Sequence, residues 1–511
     1  MTNPVIEVTR AQNPFPWAGL IRDDRGVAHY VDVPVTLGEI LYAQVEMRPD
    51  AEAVVEIVGA RLTYAQLWER AERVAGGLHA QGVQRGDRVA LRYPAGIDWV
   101  VAFWGIVLAG GVAVVVNTRS SAPEVAFVLN DSGVTADLAA DTVLPDGDPY
   151  VAEGIAASDV AAFFYTSGTT GHPKGVPTTH EAFITNAENM IRCLGVPRDF
   201  GPQLRTLISV PLFHVTGCNS QFLVAAYVGG TSVIMPALDL PKMIETLSAE
   251  QISFMVTVPA VYALLLRHPN FAEANVSTLR TVAYGGAPIA PTLVHALKVA
   301  FPQAKLMNGY GMSETASLIT VLPDQDAAQH ADSVRYAVPS VDLGVVPLGD
   351  DPNVGELVVR GANVTAAYWN RPEANADTIV DGWLHTGDVV RVDEAGRVHI
   401  IDRVKDIINR GGENVSSVEV EAVLLSAPGV ADAAVLPVPD DVMGEKVGAV
   451  LFADQAQIDI DTVLAHCRDH LADFKVPQYA VVLTEALPRN PSGKLLKNRL
   501  REQVQWGDPL R

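Results

Sequence analysis

The stretch WVVAFWGIVLAGGVAVVV, residues Trp99–Val116, decides how the fold of this chain is interpreted. It holds no charged residue and is about as long as a membrane-spanning helix requires. Gly110 and Gly111 divide it into a helix-like half and a half rich in β-branched residues, which favours a buried helix, a glycine turn and a buried strand. Because no comparable stretch occurs elsewhere and acidic sequence surrounds this one, we expect no integral membrane segment.

The same step from an apolar helix to a strand recurs at QFLVAAYVGGTSVIM, residues Gln221–Met235. Two such units indicate two related α/β layers, and their short similarity leaves a duplication open. Helical periodicity covers Arg61–Val83, and strand patterns cover Asp87–Tyr93 and Leu279–Gly286. The N-terminal part is therefore predicted to be α/β with substantial sheets.

The pattern changes near residue 400. RVHIIDRVKDIINRGGENVSS predicts short strands around charged turns, and the residues after it alternate between strand and helix patterns typical of a small α+β domain. We predict an α/β fold with a large N-terminal domain of layered β-sheets and helices, residues 1–402. A hinge at residues 403–405 then leads to a small mobile α+β C-terminal domain, residues 406–511.

Composition narrows the class of protein. The chain has 511 residues, which favours more than one domain, and 49% hydrophobic with 19% charged residues indicates a globular protein. Lys plus Arg number 37 and Asp plus Glu 59, so the net charge is −22 and nucleic acid is not expected as a partner. An anionic small ligand would need a locally basic or amide-lined pocket.

Cysteine usage and the chain ends indicate the compartment. Three cysteines cannot form a disulfide framework or a thiolate-rich metal site, which fits a reducing compartment. The first residues show no secretory signal, and the last show no lipidation or peroxisomal signal. We therefore expect a cytoplasmic protein.

The segment YTSGTTGHPKGV, residues Tyr165–Val176, carries the sharpest chemical signal. Small and hydroxylated residues let backbone N–H groups approach a phosphate, and Lys174 adds positive charge. Gly175 follows the lysine where a nucleotide-binding P-loop requires Ser or Thr, so this is not that loop. Taken alone, the stretch is also compatible with an ordinary flexible loop.

Two further segments are suited to a nucleotide. In NGYGMSETA, Tyr310 is flanked by glycines, so its ring can lie flat on a base. Ser313 and Glu314 offer a hydroxyl and a carboxylate suited to a phosphate oxygen and its magnesium ion. YGGAPI, residues Tyr284–Ile289, ends a strand in a turn whose backbone could contact a base. Plain turns are the alternative interpretation of both segments.

Three more segments carry single reactive groups. PLFHVTG places His214 in apolar surroundings, where a histidine is more often a satisfied core residue. DGWLHTGD ends with Asp388, whose carboxylate could accept two ribose hydroxyls. PRNPSGKLLK places Lys494 behind a Ser-Gly turn among other cations, a pattern that by itself predicts a solvated basic tail.

Taken together and in this order, these segments resemble the adenylate-forming superfamily and, within it, the acyl-CoA synthetases. The segment IDRVKDIINRGGENVSSVEVE also matches, so the resemblance covers most of the chain. It implies ATP, Mg²⁺ and coenzyme A as co-substrate. A carboxylate would attack the α-phosphorus of ATP to give acyl-AMP and pyrophosphate, and the thiol of coenzyme A would then displace AMP.

The resemblance also implies a role for each matching residue. The β- and γ-phosphates would be held by Thr166, Ser167, Gly168, Thr169, Thr170, Gly171 and Lys174. Adenine would be bound by Gly285, Gly286, Ala287 and Tyr310, and the ribose hydroxyls by Asp388 and Arg403. The catalytic group would comprise Ser313 at the α-phosphate, Glu314 as magnesium ligand (with Thr166 as a candidate second one), His214 beside the acyl pocket and thiol tunnel, and Lys494. Lys405 matches the hinge, and Gly411, Gly412 and Glu413 would reach the thiol channel after the C-terminal domain rotates.

The substrate is expected to be a small-molecule carboxylic acid with an apolar tail. We expect its pocket to draw on Phe213–Gln221, Val258–Leu266 and Gly309–Leu318, with Phe213, Met312, Ala316 and Leu318 among its apolar groups. A medium- or long-chain fatty acid is the first expectation, and an aromatic or alicyclic acid the second.

Other readings of the motifs remain open. A fatty acyl-AMP ligase would deliver its product to a carrier protein, but the insertion typical of that class is not evident. An amino-acid-activating module, a luciferase-like oxidation and a non-catalytic nucleotide-binding protein are weaker alternatives. A homodimer is an open alternative to a monomer.

Overall fold

A computed structural model describes residues 4–166, 173–287, 289–331, 333–411, 413–453, 458–489 and 495–510. Its α-helices are α1 (Leu37–Met47), α2 (Tyr64–Ala80), α3 (Ile97–Leu108), α4 (Ala122–Ser132), α5 (His180–Leu194), α6 (Val215–Gly217), α7 (Leu223–Val228), α8 (Leu240–Ala249), α9 (Pro259–Arg267), α10 (Pro291–Ala300), α11 (Asp324–Ala327), α12 (Pro372–Thr378), α13 (Ser417–Ser426), α14 (Ile460–His470) and α15 (Lys497–Gln503). A π-helical turn covers Cys218–Phe222, and 3₁₀ turns cover Gly201–Gln203, Pro269–Glu273, Ser313–Thr315 and Asp473–Lys475.

The strands are β1 (Ile6–Glu7), β2 (Leu20–Arg22), β3 (Ala28–Tyr30), β4 (Glu52–Glu56), β5 (Arg61–Thr63), β6 (Arg88–Arg92), β7 (Val112–Val115), β8 (Ala136–Ala139), β9 (Val160–Thr166), β10 (Lys174–Thr179), β11 (Arg205–Ile208), β12 (Thr231–Ile234), β13 (Phe254–Thr257), β14 (Thr281–Gly285), β15 (Lys305–Met312), β16 (Ser317–Leu322), β17 (Tyr336–Ala337), β18 (Asp342–Pro347), β19 (Val354–Arg360), β20 (Ile379–Val380), β21 (Trp383–Val392), β22 (Val398–Arg403), β23 (Ile408–Arg410), β24 (Glu413–Val415), β25 (Asp432–Asp440), β26 (Gly444–Phe452) and β27 (Tyr479–Leu483).

Two mainly parallel sheets build the N-terminal part. One has nine strands in the order β17-β16-β15-β14-β13-β11-β12-β4-β5, and the other has five in the order β10-β9-β7-β6-β8. The largest apolar cluster lies between them and includes residues of α1, α2, α3, α5 and α7. Helices α8, α9 and α10 cover the outer face of the larger sheet, and α4 covers that of the smaller. Because helices cover both faces of these sheets, the central strands need continuous runs of apolar residues.

The stretch Trp99–Val116 divides as predicted, into α3 and the buried strand β7. The second unit, Gln221–Met235, forms the end of the π-helical turn, α7 and β12. Helices α3 and α7 share the middle layer, while β7 and β12 belong to different sheets. Within the described residues, no helix combines the length and apolar character needed to cross a bilayer.

The prediction of a helix over Arg61–Val83 is wrong at its ends. Arg61–Thr63 pairs with β4 as strand β5, and α2 spans Tyr64–Ala80. The hydroxyl of Thr63 accepts from the backbone of Gln66, whose side chain accepts in return from the backbone of Thr63. This capping box sets the helix start, a local signal that apolar periodicity does not contain.

Two smaller sheets complete the fold. An antiparallel sheet runs β1-β18-β19-β21-β20, with β22 paired to β21. In the C-terminal part, β24-β23-β26-β25 form a sheet in which β27 runs parallel to β26. Helices α13 and α14 supply apolar residues to one cluster of this part and α15 to another. The α/β fold with a C-terminal α+β unit is confirmed, while the boundaries at 402 and 405 and the mobility of that unit stay predictions.

Candidate active site

The adenine residues predicted from sequence meet at the ends of two parallel strands, β14 and β15. Gly285 pairs with Gly309, and a Cβ added to Gly285 would lie 2.3 Å from the carbonyl oxygen of Gly309. Only glycine fits that approach. Tyr310 follows Gly309 directly, and Gly286 and Ala287 extend from β14 as exposed residues, so the four predicted adenine residues lie at one edge.

The turn that presents Ser313 and Glu314 has an unusual backbone. Ala316 has a φ of 51° and Ser317 one of 120°, in the region that favours glycine. A Cβ on Gly311 would lie 1.4 Å from the carbonyl oxygen of Ser317. Strain of this kind persists only where surrounding contacts impose it, and it concentrates at functional sites.

Three buried asparagines impose this turn. Asn186 on α5 accepts from the backbone N–H of Leu318 at 3.1 Å and donates to the carbonyl of Asn219 at 3.1 Å. Asn219 donates to the carbonyl of Ala316 at 2.9 Å, and Asn363 donates to that of Leu318 at 3.0 Å. Sequence reasoning missed all three. Only Asn186 could have been suspected from the sequence. It lies four residues before the buried Met190, which places an amide on the apolar face of a helix, and a buried amide needs hydrogen-bond partners.

Lys174 and Glu314, predicted to bind phosphate and magnesium, both contact Tyr368. Lys174 pairs with Thr166 at the start of the β9–β10 hairpin, and its Nζ lies 4.7 Å from the centroid of the Tyr368 ring. The Tyr368 hydroxyl donates to Oε1 of Glu314 at 2.6 Å, and burial beside this carboxylate raises the pKa of Tyr368. No motif pointed to Tyr368, because Glu314, the carboxylate to which its hydroxyl donates, lies 54 residues away in sequence.

Tyr310, Asp388 and Arg403 form a second connected group. Asp388 and Arg403 are direct partners in β21 and β22, and Nε of Arg403 lies 2.7 Å from Oδ1 of Asp388. The Tyr310 hydroxyl donates to Oδ2 of the same carboxylate. Burial, with the adjacent Asp388 charge, raises the pKa of Tyr310. The predicted adenine and ribose residues are therefore contiguous in space.

His214 lies in a partly buried position before the π-helical turn Cys218–Phe222. Its ring centroid is 4.7 Å from that of Phe213. Burial, and then the positive charge of Arg119, lower the pKa of His214 to about 4. The imidazole is therefore neutral near pH 7. Single π-helical turns occur often at functional sites, and apolar periodicity could not have predicted this one.

Residues at the predicted hinge make hydrogen bonds to the C-terminal part of the chain. Asp402 accepts from the backbone N–H of Ser417 at the start of α13. Beyond Arg403, the guanidinium of Arg501 donates to the carbonyl of Lys405 at 3.0 Å. A residue before the hinge and a residue within it therefore contact the C-terminal part in this structure.

The turn predicted to reach the thiol channel closes the β23–β24 hairpin. Arg410 pairs with Glu413, and Gly411, at a φ of 63°, donates its N–H to the carbonyl of Met443 at 2.7 Å. Gly412 lies outside the described residues.

Several predicted residues also lie outside the described part, namely Ser167, Gly168, Thr169, Thr170, Gly171 and Lys494. The prediction of a solvated basic tail around Lys494 is wrong for its described neighbours. Those cations form ion pairs: Arg489 with Asp432 at 2.8 Å, Lys497 with Glu421 at 2.7 Å and Arg501 with Asp406 at 2.6 Å. The acidic partners lie on β25, on α13 and directly after the hinge, so sequence proximity could not reveal them.

An apolar cavity of about 610 Å³, including its open mouth, adjoins the adenine edge. It is lined by Met190, Leu194, Val215, Thr216, Ser220, Phe254, Val256, Ala283, Tyr284, Gly285, Gly286, Met307, Gly309, Gly311, Ser317, Leu318 and Val321. The expected stretches 213–221 and 309–318 contribute, but Val258–Leu266, Phe213, Met312 and Ala316 do not. Helix α5 and strands β13 and β14 take their place, because helices and strands distant in sequence meet around the nine-stranded sheet.

Glu314 is the one carboxylate that the sequence predicts as a magnesium ligand at this site. Among the described residues, no group of three or more His, Cys, Asp or Glu side chains could hold a metal ion. Magnesium commonly binds through one or two carboxylates plus substrate phosphates, so a single carboxylate at Glu314 fits that ion.

Comparisons with known proteins agree with this site. The AMP-binding enzyme family matches residues 41–147 and 136–369, and the AMP-binding enzyme C-terminal domain matches residues 419–494. A long-chain-fatty-acid–CoA ligase of Mycobacterium tuberculosis, FadD13, is 35% identical over 91% of this chain and 98% of its own. Feruloyl-CoA synthase of an Amycolatopsis species is 37% identical over 91% of this chain and 99% of its own.

A solved structure shares the fold closely. The o-succinylbenzoate CoA synthetase of Bacillus subtilis, in complex with its acyl-adenylate intermediate, superimposes with a TM-score of 0.84 at 28% identity, covering 94% of this chain and 100% of the other. The family matches lie in both parts of the chain. The chain belongs to the AMP-binding enzyme family and is an AMP-forming acyl-CoA synthetase.

Proposed function

We propose that this enzyme joins coenzyme A to a carboxylic acid with an apolar tail, a medium- or long-chain fatty acid first and an aromatic or alicyclic acid second. The observation that carries this proposal is the cavity beside the adenine edge, whose described lining contains no charged side chain. A charged tail would lose its hydration there without gaining a partner.

The relatives support an apolar acid without choosing its shape. One is named for long-chain fatty acids and another for an aromatic acid, ferulate, at nearly equal identity of 35% and 37%. The cavity wall contains Met190, Leu194 and Met307, flexible side chains that fit either an alkyl chain or a ring.

As an AMP-forming CoA synthetase, the enzyme uses ATP with magnesium and takes coenzyme A as co-substrate. For adenylation, we propose that Lys174 and the segment 166–171 hold the β- and γ-phosphates, and that Glu314 binds magnesium. Tyr368 supports the assignment of Glu314, because its hydrogen bond orients one carboxylate oxygen. Lys494 would stabilise the negative charge that develops between the acid and the α-phosphate.

The nucleoside would be held by the second group. Tyr310 would face adenine, and Asp388 and Arg403 would bind the ribose. The ion pair between Asp388 and Arg403, at 2.7 Å, orients the carboxylate as an acceptor for hydroxyl groups.

Thioester formation would follow rotation of the C-terminal domain about Lys405. This motion would withdraw Lys494 and bring Gly411, Gly412 and Glu413 to the thiol channel. His214, uncharged near pH 7 because burial lowers its pKa to about 4, would border that channel. We propose a cytoplasmic enzyme in which neither a second copy of the chain nor a carrier protein is required.

The test is mass-spectrometric detection of products from ATP, Mg²⁺, coenzyme A and a pool of acids. The pool contains short, medium and long fatty acids, cinnamates, benzoates and amino acids. We expect a thioester of an acid with an apolar tail. Acyl-AMP without thioester would instead indicate a carrier-dependent acyl-AMP ligase, and a thioester of an amino acid would contradict the proposal.

A further inference from the structure

Of the four hydroxyl-bearing residues that line the acyl cavity, two serines contact each other. Ser220 lies in the π-helical turn and Ser317 on β16, and both line the cavity. They are 2% and 6% exposed, and their Oγ atoms are 2.7 Å apart, so the hydroxyls are hydrogen-bonded to each other.

Counting donors shows that this pair is incomplete. Each hydroxyl carries one hydrogen, and a single hydrogen bond between the two uses only one of them. Neither side chain makes another hydrogen bond within the described part of the chain. One hydroxyl hydrogen of the pair is therefore left over at the cavity wall, where an acceptor on a bound ligand could use it.

The pair is also held in place. Asn219, the neighbour of Ser220, donates to the carbonyl of Ala316, the neighbour of Ser317, at 2.9 Å. Asn219 is fully buried, and the Ala316–Ser317 backbone is in its unusual positive-φ conformation. The two serines are consequently held next to each other by a buried contact between their neighbours, and binding sites use such support to fix specificity.

We propose that the acid activated by this enzyme carries an uncharged oxygen acceptor on its acyl part, which the Ser220–Ser317 pair binds. This inference rests on the proposed function and narrows its substrate class to hydroxy, alkoxy or keto acids. An acceptor suffices because the pair supplies the hydrogen. A second carboxylate does not qualify, since no cation lines the described cavity.

The test compares acids of equal shape that differ only in this oxygen. One pair is 4-methoxycinnamate and 4-ethylcinnamate. The other is decanoate and a set of oxodecanoates with the ketone at each position from C4 to C9. We expect the wild-type enzyme to favour the best oxygen-bearing acid of a pair by about tenfold or more in kcat/KM.

Variants of the two serines then test whether they cause the preference for the oxygen-bearing acid. In Ser220→Ala/Ser317→Ala, the ratio between the two acids should fall to near one, while Ser220→Thr, which keeps the hydroxyl, should retain it. Val321→Ala is the matched control, because it trims the same cavity without removing a donor, and it should change both acids in proportion.

The outcomes separate this inference from the proposed function. Thioesters formed with a wild-type ratio near one, or with a ratio unchanged in the double variant, would overturn the inference and leave the proposed function standing. The wild-type ratio decides even where a variant does not fold. If none of these acids or the wider pool yields a thioester, the proposed function fails and the inference with it.

Discussion

The nucleotide side and the acyl side of this active site are built in different ways. On the nucleotide side, charged and aromatic groups contact one another in short chains, from Lys174 through Tyr368 to Glu314 and from Tyr310 through Asp388 to Arg403. On the acyl side, a wall of mostly apolar residues comes from α5, the π-helical turn and β13–β16. Chemistry common to all substrates needs fixed residue types, whereas substrate choice needs only a shape and a few polar points.

Replacing Lys494 is the strongest way to test this division. We expect Lys494→Ala to lower acyl-AMP formation by about 10²–10³-fold or more, because it removes charge stabilisation in the transition state, for every acid alike. Thioester formation from supplied acyl-AMP should be largely spared. Single-turnover assays of the two half-reactions measure this, with Lys475→Ala, which removes an ion pair with Glu419 away from the nucleotide residues, as control. Equal loss in both halves would contradict the assignment.

A graded pair of variants tests the magnesium position. Glu314→Gln should lower the rate of adenylation by about 10²-fold. It should also raise the Mg²⁺ concentration needed for half of the maximal rate, since a neutral amide is a poorer magnesium ligand. Tyr368→Phe removes only the hydroxyl that orients Glu314 and should cost about tenfold or less. Titration of the adenylation rate with Mg²⁺ measures both. A larger loss in Tyr368→Phe than in Glu314→Gln would argue against Glu314 as the ligand.

Gly309 and Gly311 on β15 lie where the nucleotide side meets the acyl side, and replacing each one tests a different side. Gly311→Ala would place its Cβ 1.4 Å from a backbone oxygen, so the turn carrying Glu314 must move, and we expect loss of activity toward all acids and a lower melting temperature. In Gly309→Ala the nearest atom is Cδ2 of Leu318 at 3.0 Å, a side chain that can shift. That variant should keep adenylation and favour smaller acids. Both variants are compared by kinetics with acids of increasing chain length and by thermal melting. Identical results for the two variants would contradict the different roles given to the two glycines.

A change deep in the acyl wall should affect substrate choice alone. Leu194→Phe adds volume to the cavity, so kcat/KM for the longest accepted acid should fall about tenfold, while that for a short acid changes little. Leu264→Phe, on an exposed position of α9 that does not line the cavity, is the control. A uniform loss over all chain lengths would mean that Leu194 supports the fold rather than selects the acid.

A separate expected effect concerns how the stability of the fold depends on pH. Burial lowers the pKa of His214 and of His180 to about 4, so each ring is neutral in the folded protein and takes up a proton on unfolding below about pH 6.5. Their contribution to stability is therefore present above pH 6.5 and lost as the pH falls toward 4, by about 1–3 kcal/mol for each ring. Urea unfolding between pH 4 and 7.5 measures this. His180→Gln should flatten the dependence, and an unchanged slope would contradict it.

Much of the fold could be predicted from local pattern. The glycine pair inside Trp99–Val116 predicted a helix and strand, and the structure contains both. The helix start at Tyr64 was missed, because the capping box of Thr63 and Gln66 acts through hydrogen bonds that hydrophobic periodicity does not encode. The cations near Lys494 were mistaken for a solvated tail, because their acidic partners lie on other elements.

By itself, the sequence determined the family, the reaction and the residues proposed for the nucleotide, because those groups lie in short segments where spacing is preserved along the chain. Only the tertiary structure decided how they connect and what surrounds the acid. Tyr368 reaches Glu314, Asn219 holds the turn at Ala316, and Ser220 meets Ser317, each across long separations in sequence. Contacts of that kind depend on how sheets and helices pack, and no local pattern specifies them.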